Sequence, residues 1–324
     1  MYVDTNNTRG KNVVNEKRID QATLKQLASG VYAWIGENGD SNGGAVITAS
    51  GLVAIDAQQS AAQGRKFRLA VEKATGATVT RLINTHFHLD HTAGNVAFDD
   101  VPIFAQEKTP ALMNDYMGTQ GATRWNVERL DQRLRLFFGS NLDELVPPGD
   151  PLYDWFVTRV RRPGLETLEL VAPNATFKDH FAYRRAEGIM HLNYVGPAHC
   201  DGEMIIHLPE QKIAFLGDLL FVGRFPWLGD CDLNSWISCL TRIRTLDLDR
   251  IVPGHGDVCT LNEVDDFRRL LVALREAVAA RVDAGVSEEA AMHEVSLPQY
   301  GSLPRYREWL PSNIRSIYRY LKRG

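Results

Sequence analysis

The sequence predicts an α/β (α+β) fold, in which short strands and amphipathic helices follow one another along the chain. Short apolar runs separated by Gly, Asn and Ser turns predict the strands. Apolar residues that recur at helical spacing predict the helices. Metal-ligating residue types follow several of the strand-like runs, so they would converge along one edge of a sheet structure and form one cleft.

The N-terminal part is typical of an antiparallel meander followed by a helix. Its predicted strands are residues 31–35, 45–48 and 52–55. The apolar face of the helix consists of Phe67, Ala70, Val71 and Ala74. Gly76 is expected to end this helix, because glycine is favoured just past a helix C-terminus. Residues 79–84 are then the strand that leads into the first metal-ligating motif.

Two more helices are predicted in the C-terminal half. The apolar face of the first consists of Leu233, Trp236, Ile237, Leu240 and Ile243. The second, a long helix that starts near Asn262, has an apolar face formed by Val264, Phe267, Leu270, Leu271, Leu274 and Val278. Such stripes usually pack against a core, so Trp236 and Phe267 are interpreted as core residues rather than ligand contacts.

The most informative motif is THFHLDH at residues 85–91, which contains three imidazoles and a carboxylate. His86 and His88 are two positions apart, so an extended backbone would direct both side chains to the same face, where they can bind one ion. Asp90 and His91 break this alternation and are predicted to face a second ion. Imidazole and carboxylate ligands suit zinc, iron, manganese or cobalt.

Three further residues with metal-ligating side chains each follow an apolar strand-like run, namely His199, Asp218 and His255. The predicted ligands of the first metal are His86, His88 and His199. Those of the second metal are Asp90, His91 and His255. Asp218 can offer one oxygen to each ion, as bridging carboxylates do in two-metal hydrolases. The predicted cofactor is a pair of divalent metal ions, zinc first, with iron or manganese as alternatives.

These motifs resemble those of the metallo-β-lactamase superfamily, whose hydrolases have a four-layer αββα sandwich. The matching segments are THFHLDHTAGN at 85–95, GPAHCDGE at 196–203, LGDLLFVGRFP at 216–226 and VPGHG at 252–256, in the family's order and spacing. The resemblance implies the αββα fold for this chain. It also implies that Asp56, which matches the family's strand-end aspartate, orients a ligand histidine. A solvated turn aspartate is the alternative for that position.

One scaffold supports many reactions, so membership of the superfamily alone would not fix the reaction. Positions at which this chain differs from particular branches of the superfamily narrow the choice. Secreted β-lactamases of this fold usually lack the bridging aspartate and carry a secretion signal. Here Asp218 is present, and residues 1–20 contain no apolar segment. Glyoxalase II-like and lactonase-like members carry the full bridged set. Lactonases commonly have a tyrosine three residues after the bridging aspartate, where this chain has Phe221, which disfavours a lactonase.

The predicted function is a metal-dependent hydrolase that uses a bridging hydroxide to cleave an ester, thioester, lactone or amide carbonyl of a small, partly apolar substrate. Asp218 and Asp90 are the predicted catalytic residues, and Asp90 is the nearest proton carrier. Two alternatives stay open: a β-lactamase-like amidase, and a mononuclear iron dioxygenase that acts on sulfur compounds. A non-enzymatic binding protein is disfavoured, because degenerate members usually lose ligands.

Composition and charge limit the classes of partner that we expect for this chain. The chain has 36 Lys and Arg against 40 Asp and Glu, a net charge of −4, which disfavours nucleic acid because a polyanion requires a basic surface. No apolar run approaches the roughly 18 residues that span a bilayer, so no membrane partner is expected. Four cysteines without CxxC spacing indicate reduced thiols and a cytoplasmic location. Cys200 is interpreted as a small buried filler rather than a functional thiol.

One elaborated catalytic domain is predicted at residues 31–285, because no low-complexity stretch divides the chain. Residues 1–30 would be an N-terminal extension and residues 286–324 a helical C-terminal tail. A helical insertion at about 110–175 is interpreted either as a lid over the metal cleft or as a surface buried against the domain or a second subunit. The expected partners are a small-molecule substrate and, as a hypothesis, a second copy in a homodimer.

Overall fold

The computed structural model describes residues 22–117, 123–124 and 169–323. Most of the predicted insertion at 110–175 therefore lies outside the described residues, as do residues 1–21 of the predicted N-terminal extension. Within the described ranges, the chain forms two large β-sheets packed face to face, with helices on both outer sides. None of the helices in these ranges is both long and apolar enough to cross a membrane.

The first large sheet is N-terminal. Its strands, in spatial order, are β1 (Thr23–Ala28), β2 (Val31–Ile35), β3 (Gly43–Thr48), β4 (Gly51–Ile55), β5 (Val79–Ile83), β6 (Ile103–Gln106) and β9 (Ala175–Phe177). The first four strands form an antiparallel meander, of which β2, β3 and β4 are the three predicted strands, and the remaining pairs are parallel. Strand β1 lies before residue 31, where the predicted domain starts, because its mostly polar sequence TLKQLA gave no apolar run. The short strands β7 (Thr123–Arg124) and β8 (Glu169–Leu170) pair separately.

The second large sheet is formed by β10 (His180–Arg185), β11 (Gly188–Tyr194), β12 (Met204–Leu208), β13 (Ile213–Phe221) and β14 (Arg250–His255), in that order. Its first four strands are antiparallel, whereas β13 and β14 are parallel. Because parallel strands end at the same edge of a sheet, the C-terminal ends of β13 and β14 lie side by side. Phe221, at the end of β13, is in register with His255 at the end of β14.

The helices of the described residues are α1 (Ala61–Thr75), α2 (Leu89–Thr92), α3 (Thr109–Met117), α4 (Leu233–Ile243), α5 (Leu261–Asp283), α6 (Glu288–Glu294) and α7 (Tyr306–Arg323). Helix α1 ends at Gly76, as predicted, and this glycine adopts the left-handed conformation with φ of 66°. Helix α5 starts one residue before the predicted Asn262. A capping box formed by Thr260 and Glu263 explains this start.

Three buried clusters define the layers of the sandwich. One lies between the two sheets and includes Ile55 of the first sheet and Phe215 of the second. A second cluster packs α1 against the outer face of the first sheet. The third packs helices α4 to α7 against the outer face of the second sheet, and it contains Trp236 and Phe267, whose core interpretation is confirmed. The layer order is therefore helix, sheet, sheet, helix, and the predicted αββα fold is confirmed.

Candidate metal centre

Loops and strand ends bring the seven predicted metal ligands to one edge of the sandwich. The motif histidines His86 and His88 follow β5, whereas Asp90 and His91 lie on the single turn of α2. His199 lies in the loop between β11 and β12, and His255 is the last residue of β14. The parallel and antiparallel strand ends thus deliver residues that are far apart in sequence to a common cleft.

Asp218 lies differently from the prediction, which had it following a strand. Strand β13 continues to Phe221, so Asp218 is inside the strand, next to an irregularity in its pairing with β14 at Gly217. Two glycines make room there. Gly217 has φ of +52°, and a Cβ at Gly254 on the neighbouring strand would lie 2.0 Å from Asp218 Oδ1. The Asp218 carboxylate therefore occupies space that only a glycine at 254 leaves open.

The first His/Asp group consists of His86, His88, His199 and Asp218, whose ligand-type atoms all lie within 4.8 Å of one another. Asp218 Oδ2 is 3.4 Å from His199 Nε2 and 3.9 Å from His86 Nε2. His88 Nδ1 is 3.0 Å from His199 Nε2. The group is buried, and four nitrogen and oxygen atoms that can bind a cation point into the same space.

The second His/Asp group consists of Asp90, His91, His255 and the same Asp218, again within 4.8 Å. Asp218 Oδ1 is 3.1 Å from His91 Nε2 and 3.4 Å from His255 Nε2. Asp90 Oδ2 is 3.1 Å from His255 Nε2. One oxygen of Asp218 thus faces each group.

The environment of His86 tests whether a cation fits between these side chains. His86 is fully buried, and its Nε2 makes no hydrogen bond within the described part of the chain. A buried polar atom without a partner is costly, so it calls for a physical explanation. A divalent cation bound by imidazole and carboxylate would supply one, and both groups are able to bind a metal ion.

Asp56 orients a histidine of each group. Its Oδ2 is 2.9 Å from His91 Nδ1 and accepts a hydrogen bond of 2.8 Å from Thr85 Oγ1. Since the Thr85 hydroxyl donates to Asp56, it can accept from His86 Nδ1, which is 3.0 Å away. Both imidazoles can then carry their proton on Nδ1 and turn the Nε2 lone pair into the site. Asp56 therefore contacts His91, one of the predicted ligand histidines, as its predicted orienting role requires.

Further support comes from residues that sequence reasoning did not single out. Gly39 O is 3.1 Å from His255 Nδ1, and Arg224 Nη1 lies 3.0 Å from the same nitrogen while donating to Gly39 O. Asp230 Oδ2 is 3.2 Å from His88 Nε2. Arg224 could have been noticed in the sequence, because it lies in the matched motif at 216–226. Asp230 could not, because no motif or spacing distinguishes it from other aspartates. The Ser41 hydroxyl donates to the backbone carbonyl of Asp90.

The two groups differ in charge. Burial lowers the pKa of His199 to about 3 and the pKa of His86 well below its usual value, so both are neutral. Burial also lowers the pKa of His91 and His255, but the carboxylates of Asp218 and Asp90, joined at His91 by Asp56, together outweigh it and raise the pKa of both imidazoles above the usual value. Metal binding to the second group therefore competes with protonation of His91 and His255.

The pKa values of the two aspartates in the second group are shifted in the opposite direction to those of its histidines. Burial opposes ionisation of Asp90 and Asp218, but the neighbouring imidazoles of His91 and His255 outweigh it and lower the pKa of both. Both aspartates are therefore anionic at neutral pH. The two carboxylates can therefore offset the charge of a divalent cation in the second group.

Aromatic residues complete the walls around the histidines. Phe221 is buried and its ring stacks on that of His255, with centroids 5.1 Å apart and planes inclined by 12°. The ring of Trp236, a core residue, lies 5.0 Å from that of His199. Cys200 is buried, and burial raises the pKa of its thiol, which agrees with its interpretation as a filler. All four cysteines are free.

Comparison with known proteins gives the family context. The family model described as "Metallo-beta-lactamase superfamily" matches residues 39–255. Among solved structures, a metallo-beta-lactamase from Pontibacter korlensis aligns with a TM-score of 0.54 and 20% sequence identity, covering 78% of this chain and 99% of that chain. At this level of identity the likeness concerns the fold alone.

Three curated relatives carry three different activities in their names. A linear primary-alkylsulfatase from Pseudomonas sp. is 24% identical over an alignment of 298 residues, and the match covers 83% of this chain and 53% of the relative. A 2,4-dinitroanisole O-demethylase subunit alpha from Nocardioides sp. is 25% identical over an alignment of 236 residues, with coverage of 71% of this chain and 54% of the relative. Acyl-coenzyme A thioesterase MBLAC2 from Gallus gallus is 24% identical over an alignment of 199 residues, with coverage of 58% of this chain and 60% of the relative. The chain spans only about half to three fifths of their lengths.

Proposed function

Because this chain belongs to the metallo-beta-lactamase superfamily, we propose that it is a hydrolase whose two His/Asp groups hold two divalent metal ions. The proposed ligands of the first ion are His86, His88 and His199. Those of the second ion are Asp90, His91 and His255. Asp218 bridges the two. Zinc is the proposed metal, because imidazole and carboxylate without thiolate suit it, and manganese or iron are the alternatives.

The position of Asp218 is the observation that carries this proposal. Its Oδ2 faces the first group and its Oδ1 faces the second, at 3.1–3.9 Å from four imidazole nitrogens. A carboxylate in this position can bind two ions at the short separation that two-metal hydrolases use. A mononuclear iron dioxygenase would need only one group, so the completeness of both groups argues against that alternative.

Two bound divalent ions would supply Lewis acidity, lowering the pKa of a shared water towards about 7 and polarising the bond to be cleaved. The surrounding residues set where protons can travel. The Asp90 side chain is 30% exposed, whereas the other six side chains are at most 9% exposed. Asp90 is therefore the group that can exchange a proton between the site and solvent. Asp218 connects the two groups, with one carboxylate oxygen near each.

The proposed substrate is small and partly apolar, with an ester, thioester, lactone or amide carbonyl. An acyl thioester is the first choice, because a relative named acyl-coenzyme A thioesterase matches 58% of the chain. Hydrolysis of an alkyl sulfate ester is a second candidate, favoured by the alkylsulfatase, which matches 83% of the chain.

Metal analysis together with a substrate panel tests the proposal. Protein purified without chelator is analysed for metal content and assayed with an acyl-coenzyme A thioester, a linear alkyl sulfate, a lactone and a β-lactam. We expect close to two metal ions per chain, loss of hydrolysis on chelation, and recovery with zinc or manganese. One iron per chain, no hydrolysis of any panel member, and oxygen consumption with persulfides would overturn the proposal.

A further inference from the structure

Residues 222–232, which connect β13 to α4, form a loop that we call the 222–232 loop. Near its end, Asp230 Oδ2 is 3.2 Å from Nε2 of His88, and their side chains are only 12% and 9% exposed. The carboxylate therefore approaches the imidazole from the side opposite to the first His/Asp group. There, the other ring nitrogen, Nδ1, is 3.0 Å from His199 Nε2.

This geometry selects one tautomer of His88. A neutral imidazole that binds a cation through Nδ1 must carry its proton on Nε2. A carboxylate next to Nε2 accepts that proton in a hydrogen bond, fixes the ring and increases the electron density at Nδ1. His88 differs in this respect from His86 and His91, whose Nδ1 atoms face Thr85 and Asp56.

Helix α7 and the turn before it fix the 222–232 loop from the other side. Phe225 N donates to Pro304 O at 2.9 Å, and the buried Asn313 joins the loop through both ends of its amide. Its Oδ1 accepts from Leu228 N at 3.0 Å and its Nδ2 donates to Pro226 O at 2.8 Å. These bonds tie a segment of the predicted C-terminal tail to the loop that carries Asp230.

The loop itself begins close to the second group. Arg224 lies 3.0 Å from His255 Nδ1, and its guanidinium is 4.7 Å from the ring centroid of Trp309 on α7. At the far end of the loop, Tyr320 of α7 donates to Asp232 at 3.0 Å. The same helix thus contacts the loop at its beginning, middle and end, and the loop touches one histidine of each group.

We propose that Asp230 is a positioning residue of the metal centre, which holds His88 with Nδ1 directed into the first His/Asp group, and that α7 keeps it in place through the 222–232 loop. This inference rests on the proposed function, since it assigns Asp230 a role towards a metal ion bound by His88. It gives the C-terminal tail a role in supporting the metal centre.

The test is a metal titration of the full chain with zinc, in competition with a chromophoric chelator. Asp230→Ala should weaken one of the two binding steps by roughly 10–100-fold, as loss of a carboxylate behind a ligand histidine does, and leave the other step unchanged. Asp230→Asn should lie between the wild type and Asp230→Ala, because its amide oxygen can still accept the Nε2 proton. His88→Ala identifies which step belongs to the first group.

Asp232→Asn is the matched control. Asp232 is in the same loop, and its carboxylate accepts from Ser235 N and Tyr320 Oη. The amide oxygen of Asn can accept both bonds, so Asp232→Asn removes a charge from the loop but keeps its attachment to α7, and we expect neither binding step to weaken. An equal loss in Asp232→Asn and Asp230→Ala would mean that the charge of the loop, and not the position of the Asp230 carboxylate, affects the metal centre, and the proposal would be wrong.

The outcomes separate this inference from the proposed function. If the wild type binds no metal, or binds it without dependence on His88, the proposed function fails. If the wild type binds two ions with the proposed ligands while Asp230→Ala binds both with unchanged affinity, only the role of Asp230 fails. A selective loss in Asp230→Ala, partial in Asp230→Asn and absent in Asp232→Asn, supports it.

Discussion

The two His/Asp groups share Asp218 but differ in the direction in which the pKa values of their histidines are shifted. In the first group, the buried imidazoles of His86 and His199 are neutral, because burial lowers their pKa. In the second, two aspartates face two imidazoles, and Asp218 raises the pKa of His91 and His255. A cation that enters the first group meets no proton on His86 or His199, whereas one that enters the second competes with protons for His91 and His255.

The residues that orient the histidines differ between the two groups as well. Asp56, at the end of β4, is hydrogen-bonded to His91 directly and reaches His86 through Thr85. His88, in contrast, faces Asp230 of the 222–232 loop. The first group therefore depends on both halves of the chain for the orientation of its histidines. Because the groups differ in this way, substitutions can be chosen that affect both groups or only one.

The largest effect is expected from Asp218→Asn, which removes the charge shared by both groups. Neither group then keeps the bridging carboxylate, so we expect loss of both ions by elemental analysis and loss of hydrolysis. Asp100→Asn is a suitable control, because Asp100 is an exposed aspartate that pairs with Arg68 and lies outside both groups. Two ions retained in Asp218→Asn would refute the bridging role.

A second large effect is expected from Gly254→Ala, which tests the space around Asp218 rather than its charge. The added Cβ would lie 2.0 Å from Asp218 Oδ1, far below any real contact distance, so the carboxylate or strand β14 must move. Because Oδ1 faces His91 and His255, the second group should lose its metal more readily than the first. Calorimetric titration with zinc measures both steps, and unchanged binding of two ions would contradict this account.

The sequence predicts the candidate metal ligands much better than the residues that orient them. His86, His88, Asp90 and His91 are recognisable because a short motif after an apolar run has a spacing that only metal binding explains well. The in-strand position of Asp218 was not predictable, because it depends on a pairing irregularity at Gly217 that the neighbouring strand imposes.

Asp230 and the hydrogen bonds of Asn313 illustrate what sequence reasoning cannot reach. Neither residue lies in a periodic pattern, and their contacts join segments separated by about 85 to 140 positions. Strand β1 was missed for a related reason, since an edge strand with one buried residue needs no apolar run. The layered fold was predictable because apolar stripes on helices and strands report burial directly.

Asp56→Asn should have a smaller effect that is spread over both groups. Asp56 accepts from Thr85 and faces His91 Nδ1, so loss of its charge weakens the orientation of one histidine in each group. We expect roughly 10–100-fold weaker zinc binding at both steps. Thr85→Val, which keeps the side-chain shape, should weaken the step of the first group more than that of the second, because it removes the link to His86 whereas His91 keeps its direct contact with Asp56. An equal effect of Thr85→Val on both steps would contradict the separation of the two groups.

The last prediction uses protons to separate the groups. Above its raised pKa an imidazole is neutral and can bind a metal, whereas below it a proton must first leave, so zinc binding to the second group should weaken as the pH falls. The expected loss is about tenfold per pH unit for each proton displaced. His86 and His199 are already neutral, so they contribute no such dependence to the first group. Zinc titrations between about pH 6 and 8 in buffers of different ionisation enthalpy measure both affinity and protons released. Equal pH slopes for the two steps would mean that the two groups do not differ in charge as the buried carboxylates imply.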